Sequence, residues 1–155
     1  MTRFALQFGN TQPGLTYVER MSAYGVCARG EASIAIAQIG RSAPYEFDLP
    51  GGAIEADEDE AAALMREFME ETGLTVWPTR VLGRAGQYWV NKGEPRNSLA
   101  TFYEAELSAA DSAPSEPDHK LVWMTPGEAL TKLRHEAHAW AVLHWLRMRR
   151  GAGAS

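Results

Sequence analysis

The sequence contains little cysteine and no long apolar run. Cys27 is the only cysteine, which excludes an internal disulfide and a zinc site built from several cysteines. No apolar stretch approaches the ~18 residues of a membrane span, and residues 1–14 lack the apolar centre of a signal peptide. We therefore expect a cytoplasmic protein without a membrane association, in which Cys27 is a small buried strand residue rather than a nucleophile.

A basic excess is also absent. The 15 Lys and Arg residues stand against 20 Asp and Glu residues, a formal net charge of -5, which argues against nucleic acid held through a basic surface. Hydrophobic residues make up 45% of the chain, which is enough for a sizeable core and excludes a disordered chain. The length of 155 residues suits one domain over residues 1–155, with 1–20 as an N-terminal arm or edge strand and 151–155 as a frayed tail.

The negative charge is concentrated in one segment. Residues 55–71 contain eight acidic residues and one basic residue, Arg66, a balance of -7. The rest of the chain has 14 basic and 12 acidic residues, a balance of +2. The acidity of the protein is therefore the acidity of this segment.

The apolar periodicity predicts an α/β sandwich with a mixed sheet. A helix is expected over 58–72, with Asp57 or Asp59 as its N-cap and Gly73 at its end. A capping box at Thr125–Glu128 begins a second helical region, which runs to about Arg150 with a break near 133–136. The turn Pro50-Gly51-Gly52 and the loop 108–118 separate other elements. The predicted strands are 24–29 and 33–39, which form a hairpin, then 45–49, 74–77, 81–90, 99–107 and 120–124.

Three glutamates in the predicted helix are not explained by its stability. Glu67, Glu70 and Glu71 lie in the last two turns, where the helix dipole disfavours anions. Their i, i+3, i+4 spacing places them on one face, where like charges repel. Arg66 can neutralise only part of this charge, whereas a hard divalent cation, Mg²⁺ or Mn²⁺, suits oxygen ligands of this kind. Asp57, Glu58, Asp59 and Glu60, in contrast, are explained by the dipole alone.

The residues around these glutamates form a longer motif. Gly52 is followed after five residues by Glu58, and after seven more by the run Arg66-Glu67-Phe68-Met69-Glu70-Glu71-Thr72-Gly73-Leu74. This pattern matches every fixed position of the Nudix box, which spans 23 residues here. The sequence therefore resembles the Nudix hydrolase family. The entry Phe47-x-Leu49-Pro50 and the Val122-Trp123 strand before a Thr125-Pro126 capped helix are also similar to that family.

The resemblance implies a Nudix-type α/β/α sandwich and a pyrophosphatase. Its members hydrolyse a pyrophosphate bond in a nucleoside diphosphate linked to another moiety, such as ADP-ribose, a nucleotide sugar, a dinucleoside polyphosphate or a nucleoside triphosphate. Carried over by position, the metal ligands are Glu67, Glu70, Glu71 and the Gly52 carbonyl. Arg66 would hold a glutamate by an ion pair, and Gly51, Glu58 and Gly73 would support the loop and the helix ends. Homodimers are in keeping with the family.

The group that activates water stays open between two positions. The resemblance implies either Glu67 or a glutamate from a later loop, for which Glu116 is the candidate. Glu104, Glu106 and Asp118 compete with it. Substrate-binding residues are unknown; Tyr88, Trp89 and Tyr103 are weak candidates for stacking on a base, and Arg84 and Arg96 for contacting a phosphate.

Other function classes are less favoured. His135 and His138 are spaced i, i+3, whereas the metalloprotease helix needs i, i+4, so we expect surface positions for both. The alternatives to the enzyme are a non-hydrolysing nucleotide-binding or effector-sensing module of the same fold and an RNA 5′-end pyrophosphohydrolase. The identity of the second moiety depends on loops 40–44, 83–93 and 108–118, whose side chains do not reveal it.

Overall fold

The described residues form eight strands and three helices. The computed structural model describes residues 4, 6–109 and 113–153. The helices are α1 (Glu60–Thr72), α2 (Pro126–Lys132) and α3 (Glu136–Gly153). The strands are β1 (Gln7–Phe8), β2 (Val18–Arg29), β3 (Ser33–Ile39), β4 (Glu46–Asp48), β5 (Gly51–Ala53), β6 (Thr75–Asn91), β7 (Glu94–Ala109) and β8 (His119–Met124).

The strands form one mixed sheet in the order β1-β6-β7-β2-β3-β4, with β5 paired to β2 and β8 paired to β3. The pairs β1·β6 and β2·β7 are parallel, and the others are antiparallel. The predicted β2–β3 hairpin is confirmed, since Ala28 pairs with Ile34 and Arg29 with Ser33. The parallel pairing of β2 with β7 brings the N-terminal part of the chain beside a strand some eighty residues later.

Alternating side chains of the central strands pack on two different helix layers. On one face Cys27 and Ala35 join Leu64 and Phe68 of α1 in a buried cluster. On the other face Val26, Ile34 and Ile36 pack against α2 and α3, which contribute Ala129, Ala141 and Trp145. Because successive strand residues point to opposite faces, the sheet lies between the helices. The predicted α/β/α sandwich and the buried Cys27 are confirmed.

Helix α1 begins at a side-chain cap and ends at a glycine. Asp59 accepts a hydrogen bond from the Ala62 N–H at 2.7 Å, so the helix starts at Glu60, two residues later than expected. Gly73 adopts a left-handed conformation, φ 78°, and its N–H donates to Met69 O at 2.9 Å. A glycine takes this conformation without steric cost. The cap orients the last two turns of α1, which carry the three glutamates.

Several strand bounds differ from the sequence prediction. Gly51–Ala53 is a short strand on β2 rather than a turn. The two expected strands 74–77 and 81–90 are one strand, β6, with register shifts at its bulges, because pairing with β7 continues through residues 78–80. Strand β7 starts at Glu94, and β1 lies at the sheet edge, as one interpretation of residues 1–20 expected. Of the predicted loop 108–118, residues 108 and 109 belong to β7, and 110–112 lie outside the described residues.

Helices α2 and α3 follow the predicted break. The capping box is present, with Glu128 N–H donating to Thr125 Oγ1 at 3.1 Å. His135 and His138 are both buried, so the prediction of surface positions was wrong: the break turns this part of the chain against the sheet. Helix α3 extends to Gly153, and residues 154 and 155 lie outside the described part. Within that part, no helix combines the length and apolar character needed to cross a bilayer.

Candidate active site

A cleft of about 400 Å³ lies at the carboxyl end of α1. The Gly51-Gly52 backbone of β5, together with Glu67 and Glu71 of α1, forms one part of its wall. The start of β8 contributes His119, with Asp118 directly before it, and the end of β6 contributes residues 89–91, with Lys92 directly after it. These four elements, separated in sequence, therefore meet at one opening, which is a suitable shape for a small molecule.

Gly52 and Glu67 are in close contact. A Cβ placed on Gly52 would lie 2.6 Å from Cδ of Glu67 and 2.7 Å from its Oε1. Such a distance is inside the van der Waals contact limit, so a side chain at residue 52 would displace the carboxylate. A glycine is required here because the backbone approaches the carboxylate directly. The sequence signal for this contact was the fixed spacing of fifteen residues between the two positions.

Arg66 joins three of the glutamates. It donates to Glu58 from Nε at 2.7 Å and from Nη2 at 2.9 Å. Its Nη1 lies 3.0 Å from Glu67 Oε1 and 3.2 Å from Glu70 Oε2, and its Nη2 also donates to Ala53 O at 3.1 Å. The guanidinium thereby holds the Glu67 and Glu70 side chains beside each other and ties α1 to the strand that carries Gly52.

Glu71 is fixed by a backbone donor and a histidine. The Gly51 N–H donates to Glu71 Oε1 at 2.9 Å, and His119 Nε2 lies 3.2 Å from Glu71 Oε2. His119 Nδ1 contacts Asp118 Oδ1 at 3.0 Å. The hydrogen bond to Glu71 raises the pKa of His119 to about 9. Sequence reasoning missed His119; its signal was an Asp-His pair directly before the predicted strand 120–124.

The crowded carboxylates favour a cation electrostatically. Burial, followed by the charge of Glu71, raises the pKa of Glu67 to about 7. Burial likewise raises the pKa of Glu71. In contrast, hydrogen bonds from Arg66 lower the pKa of Glu58 to about 2, which places Glu58 among the supporting groups. Two half-buried carboxylates and a backbone carbonyl are oxygen donors of the kind that hard divalent cations prefer.

Glu70 lies at the edge of this arrangement. Its carboxylate binds Arg66 and does not belong to the cleft wall among the described residues. Its carbonyl accepts hydrogen bonds from the N–H groups of Ser115 and Glu116, at 2.9 and 3.0 Å. The loop that carries Glu116 therefore packs against the carboxyl end of α1.

The four downstream acids occupy two separate places. Glu104 and Glu106 line a different groove, and Glu104 pairs with Arg80 at 3.2 Å. Asp118 lines the cleft. Glu116 does not line it, although oxygen and nitrogen atoms of Glu116, Asp118 and His119 lie within 4.8 Å of one another. The structure thus places Asp118 in the cleft wall together with Glu67 and Glu71. Glu116 lies outside this wall, next to Asp118 and His119.

Only some of the weak candidates for substrate binding line the cleft. Trp89 lines the cleft. Tyr88 lies on the other face of β6, where its ring makes an edge contact with Tyr17 at 5.2 Å, and Arg84 does not line the cleft. Tyr103 donates to Glu60, and Thr101 Oγ1 donates to the same carboxylate at 3.1 Å. These contacts give Glu60 a structural role beyond the helix dipole.

Arg134 is a cleft residue that sequence reasoning missed. It binds Asp48 through two hydrogen bonds, of 2.8 and 2.9 Å, and Glu46 through a third, of 2.9 Å. Its guanidinium lies 4.9 Å from the Trp89 ring centre. Burial opposes ionisation of Asp48, but the hydrogen bonds and the charge of Arg134 outweigh it and lower the pKa of Asp48. Only the tertiary fold joins these groups, because Arg134 lies in the break between two helices.

The fold and this arrangement of glutamates define a member of a hydrolase family. The family model for the NUDIX domain matches residues 19–146, so this chain belongs to the NUDIX family, as its 23-residue motif predicts. Among solved structures, a NUDIX hydrolase from Nitrosomonas europaea superposes with a TM-score of 0.72 at 16% identity, over 83% of this chain and 89% of that one. This similarity confirms the fold.

Two curated relatives match parts of the chain. An 8-oxo-(d)GTP phosphatase of Mycolicibacterium smegmatis is 31% identical over 114 residues, which are 74% of this chain and 34% of that protein. An RNA pyrophosphohydrolase of Acidiphilium cryptum is 39% identical over 66 residues, which are 43% of this chain and 38% of that protein. The chain therefore spans little more than a third of either relative.

Proposed function

We propose that this protein hydrolyses a pyrophosphate bond in a nucleoside diphosphate linked to another moiety. The observation that carries the proposal is the meeting of Glu67, Glu71 and Gly52 in one cleft, with each carboxylate fixed by its own donors. The substrate class is a small nucleotide derivative, such as a nucleoside triphosphate, ADP-ribose, a nucleotide sugar or a dinucleoside polyphosphate. The relative named as an 8-oxo-(d)GTP phosphatase supports the triphosphates within this class.

The proposed cofactor is Mg²⁺ or Mn²⁺. Glu67, Glu71 and the Gly52 carbonyl in the cleft wall would hold it, with Glu70 as a further ligand from the edge of the cleft. The donor set fits because it consists of oxygen atoms only. When bound, the cation neutralises the diphosphate and lowers the pKa of water. Arg66 and the Gly51 N–H orient the carboxylates, while Glu58 holds Arg66 in place.

The chemical step requires a base for the attacking water. We propose Glu67, which lines the cleft, and keep Glu116 as the alternative because its loop is bound to Glu70 O. The water oxygen forms a bond to one phosphorus, the bridging P–O bond breaks, and the proton moves to a carboxylate oxygen. A Glu67→Gln variant should then lose more turnover than Glu116→Gln.

The activity is tested by product release from the substrate panel with and without Mg²⁺. Wild type should hydrolyse at least one member, and Glu71→Gln should lose about 100-fold or more in kcat/KM, since it removes a half-buried ligand. Glu31→Gln is the matched control, because Glu31 is exposed on the β2–β3 turn. Tight binding of one compound without turnover would favour the non-hydrolysing module instead.

RNA 5′ ends are the second candidate substrate, and the relative named as an RNA pyrophosphohydrolase favours them. The net charge of -5 opposes them, since RNA binding uses basic surface. Triphosphorylated RNA therefore belongs in the same panel. If it is hydrolysed faster than the small nucleotides, RNA 5′ ends replace them as the proposed substrate.

We also propose a single domain over residues 1–155, a homodimer and a cytoplasmic location. The family match over residues 19–146 supports the first, and the lone cysteine supports a reducing compartment. Light scattering on the purified chain measures the oligomeric state.

A further inference from the structure

A second pocket of about 210 Å³ lies beside the cleft, on the β2–β7–β6 face of the sheet. Arg20 and Ser22 of β2 alternate with Ser98 and Arg96 of the paired strand β7 along its floor. The two serine hydroxyls are 2.9 Å apart and share a hydrogen bond. Tyr24, Ala53, Trp89 and Asn91 complete the wall. The pocket therefore combines two guanidinium groups, hydroxyl groups and two aromatic rings.

This pocket and the cleft carry opposite charge. Among its lining residues are two arginines and no acidic residue. The cleft wall has five carboxylates, from Glu46, Asp48, Glu67, Glu71 and Asp118, against three cationic groups, from Lys92, Arg134 and His119. Glu94 reaches Arg96 from outside, with its Oε2 2.5 Å from Nη2, but its side chain is 69% exposed. A solvent-exposed ion pair contributes little stability, so an anion in the pocket can take the place of Glu94 at this guanidinium at low cost.

Arg96 has unused capacity to donate. Its Nε is buried and has no hydrogen-bond partner among the described residues. Native proteins pair nearly all buried donors, because an unpaired one loses its hydration without compensation. The Arg96 side chain as a whole is 21% exposed, so the guanidinium reaches the pocket while one of its N–H groups stays unpaired. Such a guanidinium is suited to the two oxygens of an anion.

The two cavities are contiguous. Tyr24, Trp89 and Asn91 line both of them. The Trp89 ring is held by Arg134 on the cleft side and by an edge contact with His135, whose ring centre is 4.7 Å away. A ligand that fills both cavities thus passes the fixed indole of Trp89, with one charged group in the cleft and the other in the second pocket.

From these observations we infer that the pocket binds a second phosphate of the substrate, in addition to the diphosphate in the cleft. This inference rests on the proposed function, because it assumes that the diphosphate occupies the cleft. The second phosphate is either an ester on the ribose or a further member of the polyphosphate chain, and both present the same anionic oxygens. Arg96 and Arg20 are the residues that select it.

The inference is tested by binding rather than by turnover. Titration calorimetry in the presence of Mg²⁺ measures the affinity of each compound. The first comparison sets adenosine 2′,5′-bisphosphate and adenosine 3′,5′-bisphosphate against AMP. The second sets α,β-methylene ATP against α,β-methylene ADP. In wild type, at least one compound with the additional phosphate should bind about tenfold or more tightly than its partner, as expected for a charge-assisted hydrogen bond. The first comparison reports a ribose ester, and the second reports the polyphosphate chain.

Variants then locate the effect. Arg96→Gln and the exposed Arg20→Gln should reduce the advantage of the additional phosphate to about threefold or less, with little change in AMP affinity. Arg96→Lys should retain part of it, because the charge remains while the planar fork is lost. Arg147→Gln removes the same charge from an exposed position on α3 and should keep the full advantage. Thermal unfolding confirms that each variant folds.

Two results would overturn the inference. One is an equal affinity within both pairs in wild type, and the other is an advantage that survives in Arg96→Gln. A GMP titration separates a third case: if Arg96→Gln alters only the preference for GMP over AMP, the pocket reads a base edge and not a phosphate. Since none of these measurements requires hydrolysis, failure of the proposed function appears separately, in the product assay.

Discussion

Arg66 and Glu58 form a two-point hydrogen bond, with Glu58 Oε2 at 2.7 Å from Nε and Oε1 at 2.9 Å from Nη2. This contact leaves Nη1 to face Glu67 and Glu70. The fork therefore sets where two of the proposed metal ligands lie. Glu58, to which the resemblance gives a supporting role, binds the arginine of the site at two points.

Replacing the guanidinium group of Arg66 should weaken metal binding. In Arg66→Lys the charge is kept, but an ammonium group cannot bind Glu58 at two points and Glu67 at the same time. We expect a loss of about 10- to 100-fold in Mn²⁺ affinity, the usual range for groups that orient metal ligands. Calorimetric titration of the protein with Mn²⁺ measures it. Arg147→Lys is the control, and an unchanged affinity in Arg66→Lys would contradict the positioning role.

Adding a methyl group at Gly52 should displace the carboxylate of Glu67 and so disturb the same site. The new Cβ of Gly52→Ala would lie 2.6 Å from Glu67 Cδ, so the carboxylate must move. A displacement of about 1 Å can reduce turnover about 100-fold. Product release at saturating Mg²⁺ measures the effect.

The control for that variant is Gly127→Ala in α2. A Cβ there has no neighbour within 4 Å among the described residues, and alanine favours a helix by up to about 1 kcal/mol over glycine. We expect full activity and equal or higher stability. Equal activity in both alanine variants would show that the Gly52 contact does not matter for turnover.

Buried His138 should make the protein less stable in acid. Burial lowers its pKa to about 3 from the ordinary 6.5, and its Nδ1 accepts a hydrogen bond from Leu49 N–H at 3.1 Å. Between pH 6.5 and pH 3 the unfolded chain binds a proton at this residue that the native chain does not. The stabilisation is therefore complete above pH 6.5 and is lost as the pH falls, by up to about 1.4 kcal/mol per pH unit.

A His138→Asn variant removes this proton while keeping an acceptor near the Nδ1 position. Urea unfolding at pH 8, 7, 6 and 5 should show that stability of the variant falls less steeply with pH than that of wild type. The difference between the two proteins measured at pH 8 should shrink toward pH 5. Parallel curves would mean that His138 does not control this part of the pH dependence.

Removal of Arg134 should destabilise the fold. Arg134→Met keeps the apolar stem but leaves the buried Asp48 without its two hydrogen bonds. Breaking one side of a buried ion pair lowers the free energy of unfolding by about 3 kcal/mol or more, and denaturant unfolding at pH 7 measures it. Lys132→Met removes an exposed pair at 3.9 Å and should change stability by less than about 1 kcal/mol. Equal values for the two variants would contradict the role of Arg134.

Local patterns were sufficient for some elements and not for others. The cap at Asp59, the left-handed Gly73 and the capping box at Thr125 depend on neighbours within four residues, and all three are present at the predicted residues. The predicted bounds of β6 and the predicted surface positions of His135 and His138 were wrong. Those features depend on which distant strand or sheet face the segment meets, and local propensity does not contain that information.

The sequence by itself determined the family, the sandwich and the cluster of glutamates, because the spacing Gly52 to Leu74 places a turn, a helix and its acidic face in one continuous segment. Tertiary structure alone decided that His119 meets Glu71, that Arg134 meets Asp48 and Trp89, and that Arg20 lies beside the strand of Arg96. Each of these pairs joins side chains more than forty residues apart, and only the strand register and the packing of the helix break bring them within reach of each other.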